Sequence, residues 1–538
     1  MIDNQKETDN LAASVFIQVC ASRRIGMRIN NMETIEKWGI FDIAVHGKTD
    51  GNPFSDYEIR GTFQSEHECI TADGFYDGNG CYRVRFMPSF EGRYSFSIFG
   101  SAVDASVDGM FDVVPPSGSN HGPVRVKDEV KLAYADGKPY YSIGTTCYAW
   151  VNQDMELQEK TLDTLRKSPF NKIRFCFFPK FYEFNKREPI TYPFERGHGE
   201  GLDPALIEKQ ANRSYWPGEP VPEMDYGFDY YRPNVEHFQR FDLRIRQLME
   251  MGVEADMILM HPYDRWGMNE MGAKACDAYI KYIIARYGAY RNVWWSLSNE
   301  YDFIPTKDHA DWERYGKLIQ KSDPYRHMCS IHNGVVYYDF SRPWITHQSM
   351  QRTDFYRTTE YTDEFIGKYH KPAVWDEICY EGNIGLGWGN ITGQELVRRF
   401  WEAFLRGGHA GHGETYLDKE DILWWSHGGV LKGESAPRLA FLRDILEQTP
   451  GCGLSKAEGL FDEVVGCAFD APMDYQIHYF GFCQPGNRTL FLPEDGLFDV
   501  DIIDTWNMTV TSAGSHRGTA CIELPGRQYM AIRVSRHI

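Results

Sequence analysis

Between about residue 140 and residue 448, short apolar runs alternate with segments of helical period. No other property of the chain narrows its fold as much. The runs are "YYSIGTTC", "NKIRFCFF" (171–178), "VEADMILM" (253–260), "NVWWSLS" (292–298), "HMCSI" (327–331), "WITHQS" (344–349), "PAVWDE" (372–377) and "GGHAGHGE" (407–414). Helical stripes separate them. Phe238, Phe241, Ile245, Leu248 and Met249 form one, and Tyr279, Ile280, Ile283, Ile284 and Tyr287 another. The last is "ESAPRLAFLRDILEQ" (434–448). Eight strand–helix units are the number that closes a (β/α)₈ barrel.

On both sides the rhythm is that of β-structure. "EKWGIFDIAVHG", "YEIRGTFQ" and "GCYRVRFMPSFEGRYSFSIFG" alternate with Gly and Pro punctuation. They predict a sandwich over 31–118, after an N-terminal extension of residues 1–30 and before the linker "VVPPSGSNHGPV". The barrel then takes 119–448. "YQIHYFGF", "TLFLPE", "FDVDIIDTW", "TACIELPG" and "YMAIRVSRH" predict a second β-sandwich over 449–538. One connection, 179–235, is long, without clear period and rich in aromatics such as Tyr215, Trp216, Tyr226 and Tyr230. It follows the second strand, so it lies on the C-terminal face, where barrel active sites sit.

A formal net charge of −19 argues against nucleic acid or an anionic membrane as partner, since both need a cationic face. No apolar run is long enough to span a bilayer. The 12 cysteines form no CxxC pair and no zinc-spaced cluster, and the first apolar run follows an acidic segment, the wrong flank for a signal peptide. The expected compartment is the cytoplasm.

The chemistry lies at the strand ends. "SNEYDF" places Asn299 and Glu300 beyond the fourth strand, and "DEICYEGN" places Asp376, Glu377 and Glu381 at and beyond the seventh. These strands lie across the barrel from each other. Two carboxyls facing across a cleft are the apparatus of glycoside hydrolysis, in which one protonates the leaving oxygen and the other attacks the sugar or activates water. Strand alternation lets only one of Asp376 and Glu377 point inward. Other strand-end candidates are His261 and Tyr263 on the third strand, His332 and Asn333 on the fifth, and His347 and Gln348 on the sixth. Trp424 and Trp425 follow the eighth and could stack on a sugar, and Glu414 could touch substrate or pair with His412. Arg174 is a cation inside an apolar strand, for which a structural ion pair is the plainer reading. A divalent ion on His409, His412 and Glu414 is the weaker reading, for want of a fourth ligand. No cofactor is implied.

"NPFSD", "GFYDGNGCYRVRFMPSFEGRYSF", "NVWWSLSNEYDF", "DEICYEGN", "LKGESAPRLAFLRDIL" and "IDTWNMTV" resemble a three-part bacterial group of clan A retaining glycoside hydrolases. Its members carry an N-terminal sandwich, an apiosidase-like or endoglucanase barrel and a C-terminal β-domain. The resemblance spans about residues 32–538. It implies Glu300 as acid/base, Glu377 as nucleophile, Asn299 bound to the sugar 2-hydroxyl and Arg174 holding the nucleophile ionised. The expected activity is hydrolysis of a plant-derived or other small glycoside with retention. A transglycosidase would use the same residues, and a catalytically dead carbohydrate-binding barrel would need no carboxylate pair. Loop 179–235, with a neighbouring domain or subunit, would close one end of the cleft, which leaves a homo-oligomer open.

Overall fold

The computed structural model describes residues 34–211, 222–418, 423–460 and 463–537, with the backbone of Phe16–Val19 and Arg28–Ile29. Most of the expected 1–30 extension lies outside the described residues, as do Tyr215 and Trp216. The chain divides into two compact units. One is residues 1–120 with 281–291 and 322–325, and the other is the remainder.

The first unit contains two facing sheets. One is built on Phe41–His46 and Cys81–Phe86, the other on Arg60–Gln64, Gly92–Phe99 and Val107–Val114. Alternation buries one side of Val107–Val114 and exposes the other. The buried sides meet in a core of rings: Phe41 stacks on Phe111 and Phe63 on Phe86, each at 4.3 Å between centroids.

The second unit contains an eight-stranded, nearly closed parallel barrel. Its strands are β1 (Ile143–Thr146), β2 (Lys172–Cys176), β3 (Glu254–Ile258), β4 (Val293–Ser296), β5 (Met328–Ser330), β6 (Gln348–Gln351), β7 (Ala373–Glu377) and β8 (His409–His412). They hydrogen-bond in the order β5-β4-β3-β2-β1-β8-β7-β6. The remaining seam, between β5 and β6, is bridged by a parallel contact of His332 with Ser349 and by Thr346 N donating to Cys329 O at 2.8 Å. Helices Met155–Arg166, Val235–Glu250, Ala273–Tyr287, His309–Ser322, Thr362–Tyr369, Gly393–Leu405 and Ser435–Glu447 surround it. Two of their starts are set by capping side chains: Asp154 accepts from Leu157 N and Thr392 from Glu395 N.

Two expectations need correction. The fifth strand has no helix after it; residues 331–347 are turns and irregular chain. The sixth strand runs 348–351, not 344–349, because the apolar Trp344 and Ile345 belong to the turn that precedes it. Beyond the barrel, strands within 454–536 form a six-stranded antiparallel sheet and a two-stranded one around Leu490, Phe498, Val500, Ile522, Ile532 and Val534. In the long loop, Phe194–Arg196 pairs antiparallel with Phe228–Pro233, and Pro204–Ala211 is helical.

The barrel interior is polar where aliphatic layers would be ordinary. Lys172, 1% exposed, donates to Asp256 Oδ2 at 2.7 Å and Asp376 Oδ1 at 2.6 Å. Burial works against its charge, and the two carboxylates outweigh burial to raise its pKa. Lys172→Met would leave both carboxylates buried and uncompensated. The expected cost is about 3–5 kcal/mol, read as a fall in the denaturation midpoint.

Candidate active site

β4 stops at Ser296, but the chain beyond it stays pinned between its neighbours. Asn299 N donates to Met260 O at 2.9 Å, and Tyr301 N to His332 O at 3.0 Å. Between them Glu300 is left-handed, with φ 45° and ψ 54°. A side-chain-bearing residue adopts this conformation at a cost of about 1–3 kcal/mol, which surrounding structure must hold in place. It turns Glu300 into the cleft beside Asn299 rather than onto the opposite face.

β7 uses a bulge for the same purpose. Along the β6–β7 ladder Met350 pairs with Trp375, but Gln351 pairs with Glu377. Asp376 is therefore the extra residue, and the alternation expected for this strand is broken. Both acids point inward, contrary to the one-inward expectation. Asp376 goes to Lys172 and to Ser349, whose Oγ donates at 2.6 Å. Glu377 goes to the cleft. Trp375 faces outward and donates to Thr362 Oγ1.

A row of close polar contacts runs between the two glutamates, with the single Tyr148 proton facing both Asn299 Oδ1 and Glu377 Oε1. Asn299 Nδ2 donates to Glu300 Oε2 at 2.9 Å, and Asn299 Oδ1 lies 3.1 Å from the Tyr148 hydroxyl. Tyr148 in turn donates to Glu377 Oε1. Arg174 Nη1 reaches the same oxygen at 3.0 Å. Gln351 Nε2 lies 3.5 Å from Glu300 Oε1. His332 Nδ1 is 3.0 Å from Ser349 Oγ, and its Nε2 is 3.4 Å from Glu377 Oε1. Ser349 gives its own proton to Asp376, so it accepts from Nδ1–H of His332. Its Nε2 also lies 3.4 Å from Gln351 Oε1, so two acceptor oxygens face that nitrogen.

These surroundings split the two carboxyls. Burial pushes Glu300 up, to about 7, and the nearby Glu377 charge adds to the effect. Burial also works to raise Glu377, but His332, Arg174 and Tyr148 hold it down at about 2. The pKa of His332 is itself lowered, by burial and then by Arg174. At neutral pH one carboxyl is poised to give a proton and the other is an anion.

Of the residues expected from sequence, Glu300, Glu377, Asn299, Arg174, His332 and Trp425 come together here. His261 stands one step back. Its Nε2 donates to Phe178 O at 3.2 Å and its Nδ1 accepts from Tyr263 N at 3.2 Å, so it fixes the turn that carries Tyr263. Four others lie elsewhere. His347 precedes β6 and packs its ring 5.0 Å from that of Trp294, in the layer of Lys172. Gln348 faces outward and donates to Lys371 O at 2.9 Å and Phe365 O at 3.3 Å. Trp424 is buried, with its indole N–H on Thr145 Oγ1 at 2.8 Å. Glu414 accepts from the backbone N–H groups of Lys432 and Gly433. His409 and His412 have separate partners, Ser142 N and Thr145 Oγ1, so these three side chains do not converge.

Tyr148, Tyr182, Tyr380 and Trp425 form a buried aromatic wall, backed by Phe184, Tyr263 and Trp388. The rings of Trp388 and Trp425 lie 4.9 Å apart. Tyr148, Lys180, Tyr182, Gln351 and Trp388 were missed in the sequence. Tyr148 directly follows the first apolar run, so the strand-end rule could have found it. Gln351 required the correct end of β6.

A family model described as the apiosidase-like catalytic domain matches residues 127–450. The chain belongs to the apiosidase-like family. It is a glycoside hydrolase, and its barrel is the family's catalytic domain. Two domains of unknown function, DUF5060 and DUF5605, match residues 34–100 and 463–535. Among solved structures, a candidate glycoside hydrolase from Bacteroides vulgatus ATCC 8482 is 34% identical with a TM-score of 0.84, covering 94% of this chain and 100% of its own. A glycoside hydrolase family 5 protein from the same organism is 15% identical with a TM-score of 0.55, over 77% of this chain and 94% of its own, and shares the fold. A search of curated proteins returned no match.

Proposed function

We propose that this apiosidase-like protein is a retaining glycoside hydrolase that cleaves short plant-derived or other small glycosides by double displacement. Glu377 attacks the anomeric carbon and Glu300 protonates the departing oxygen. Glu300 then takes a proton from the water that releases the sugar. The observation that carries the reading is the split of the two carboxyls at the ends of β4 and β7. Glu377 is held ionised by His332, Arg174 and Tyr148, and Glu300 is kept neutral by burial. Asn299, bonded to Glu300 and beside Tyr148, is placed to meet a hydroxyl next to the anomeric centre. Trp425, in the aromatic wall beside Tyr148, would be the ring against which the sugar packs. The free cysteines among the described residues suit a reducing compartment, in keeping with a cytoplasmic enzyme.

Two measurements test this. Proton NMR of the first sugar released should show the anomer of the substrate. Direct formation of the opposite anomer would place a water, not Glu377, at the sugar carbon. The pH profile of kcat/KM reports the free enzyme. It should be level between about pH 4 and 6 and fall about tenfold per unit above about 7, as Glu300 loses its proton. The acid limb belongs to Glu377 and should lie near the bottom of the accessible range. A profile rising through pH 7 would require Glu300 to act as an anion.

A further inference from the structure

Lys180 opens the long loop, four residues beyond the end of β2, and is 2% exposed. Its ammonium sits among ring faces: 3.4 Å from the centroid of Tyr148, 4.2 Å from Tyr263, 4.3 Å from Tyr182 and 5.2 Å from Trp425. Three of these rings belong to the wall of the active site. Ring faces attract a cation, but they accept none of its three N–H bonds in the way an oxygen does. Among the described residues no oxygen lies within hydrogen-bonding or ion-pairing distance of that ammonium.

This separates it from the other fully buried lysines. Lys172 has Asp256 and Asp376, Lys131 has Leu454 O, and Lys307 has Met271 O. Buried charges in proteins are ordinarily paired. Glu300 and Glu377 act on Lys180 through space, and burial pulls its pKa down to about 8. Neither glutamate is free to pair with it, because one is engaged with Asn299 and the other with Tyr148 and Arg174.

We propose that Lys180 is a specificity-determining residue for an acidic glycone, a sugar unit carrying a carboxylate of the uronic acid type. The inference rests on the hydrolase reading above and deepens it. The carboxylate would supply the missing oxygen partner, and an anion beside an otherwise unpaired buried cation forms a charge-assisted bond. The glycone side follows from the rings. Tyr148 bonds Glu377, the attacking carboxylate, and stands 5.3 Å from Trp425, edge to face, so the ammonium lies on the wall against which the attacked sugar rests.

The test compares matched pairs: 4-nitrophenyl glucuronide with glucoside and galacturonide with galactoside, in both anomers, on the wild type, Lys180→Met and Lys180→Arg. Calorimetric binding of free uronic acids and their parent sugars reads the same preference without turnover. The wild type should favour the acid over its neutral parent by at least about tenfold, the usual worth of a charge-assisted hydrogen bond. Lys180→Met should remove that preference, costing each acid more than its neutral parent, and leave the melting temperature equal or higher, since it deletes an unpaired buried charge. Lys180→Arg should keep the preference. Turnover of neutral glycosides with no acid preference would overturn this proposal alone, as would equal losses on both classes, a preference tied to an acidic aglycone, or a lower melting temperature in Lys180→Met. If no uronic acid or uronide binds or reacts, it is likewise overturned. If no glycoside of any kind is turned over, the hydrolase reading fails with it.

Discussion

Replacing Glu377 with alanine should abolish turnover on every glycoside, with kcat falling on the order of 10⁶-fold, the scale seen when a covalent nucleophile is removed from an enzyme. No leaving group rescues this loss, because the missing step is formation of the bond to the sugar. The variant should keep its fold: the side chain lies at the barrel mouth, while the buried pairing of Lys172 with Asp256 and Asp376 is untouched. Azide is small enough to enter the vacated space and needs no activation. With an activated aryl glycoside it should attack the anomeric carbon directly and yield a glycosyl azide of inverted configuration. Retained activity in buffer would sink the assignment. So would a retained-configuration azide from this variant, which would exchange the roles of the two glutamates.

The eight strands were legible because a barrel buries them on every side, and full burial writes itself as apolar runs. The runs "NKIRFCFF" and "PAVWDE" locate β2 and β7 to within a residue or two. β6 was misplaced because its buried residues are Gln348, Ser349 and Met350, while the apolar pair before it, Trp344 and Ile345, packs a turn. That shift of a few residues moved His347 and Gln348 to a strand end they do not occupy and hid Gln351. Strand-end reasoning is only as good as the strand's last residue, and boundaries carry the weakest periodic signal.

The bulge at Asp376 was illegible for a different reason. Nothing in "VWDEI" departs from alternation; the extra residue is paid for by contacts that lie far away in sequence, Lys172 on β2 and Ser349 on β6. Arg174 shows the reverse case. A cation in an apolar strand had a structural ion pair as its plainer reading, and it does form an ion pair, with Glu377. Lys180 lay beyond reach, since its cage draws on β1, β3 and β8 ends as well as its own loop. Sites assembled from four strand ends become visible only once the barrel has closed.

Glu300→Ala should behave unlike Glu377→Ala, and the difference depends on the substrate. A dinitrophenyl glycoside has a leaving group that departs without a proton, so formation of the glycosyl-enzyme on Glu377 should survive. Its hydrolysis should not, because the water then lacks its base. The intermediate should accumulate, visible as a burst of phenol followed by a slow steady state. On a glycoside with a poor leaving group the first step also fails, and kcat/KM should fall by roughly 10²–10⁴-fold, the usual worth of general acid–base help. The falling limb of the pH profile near 7 should vanish on the activated substrate, since the group that titrates there is gone. Azide should restore the steady-state rate and give a glycosyl azide of retained configuration, because it displaces the sugar from Glu377 after one inversion has already occurred. Full activity of Glu300→Ala on both kinds of substrate would mean that the left-handed turn after β4 presents its carboxyl for some other purpose. An inverted azide from this variant would make Glu300 the nucleophile, held neutral by burial in the one role that requires an anion, and the electrostatic reading of the cleft would have to be abandoned.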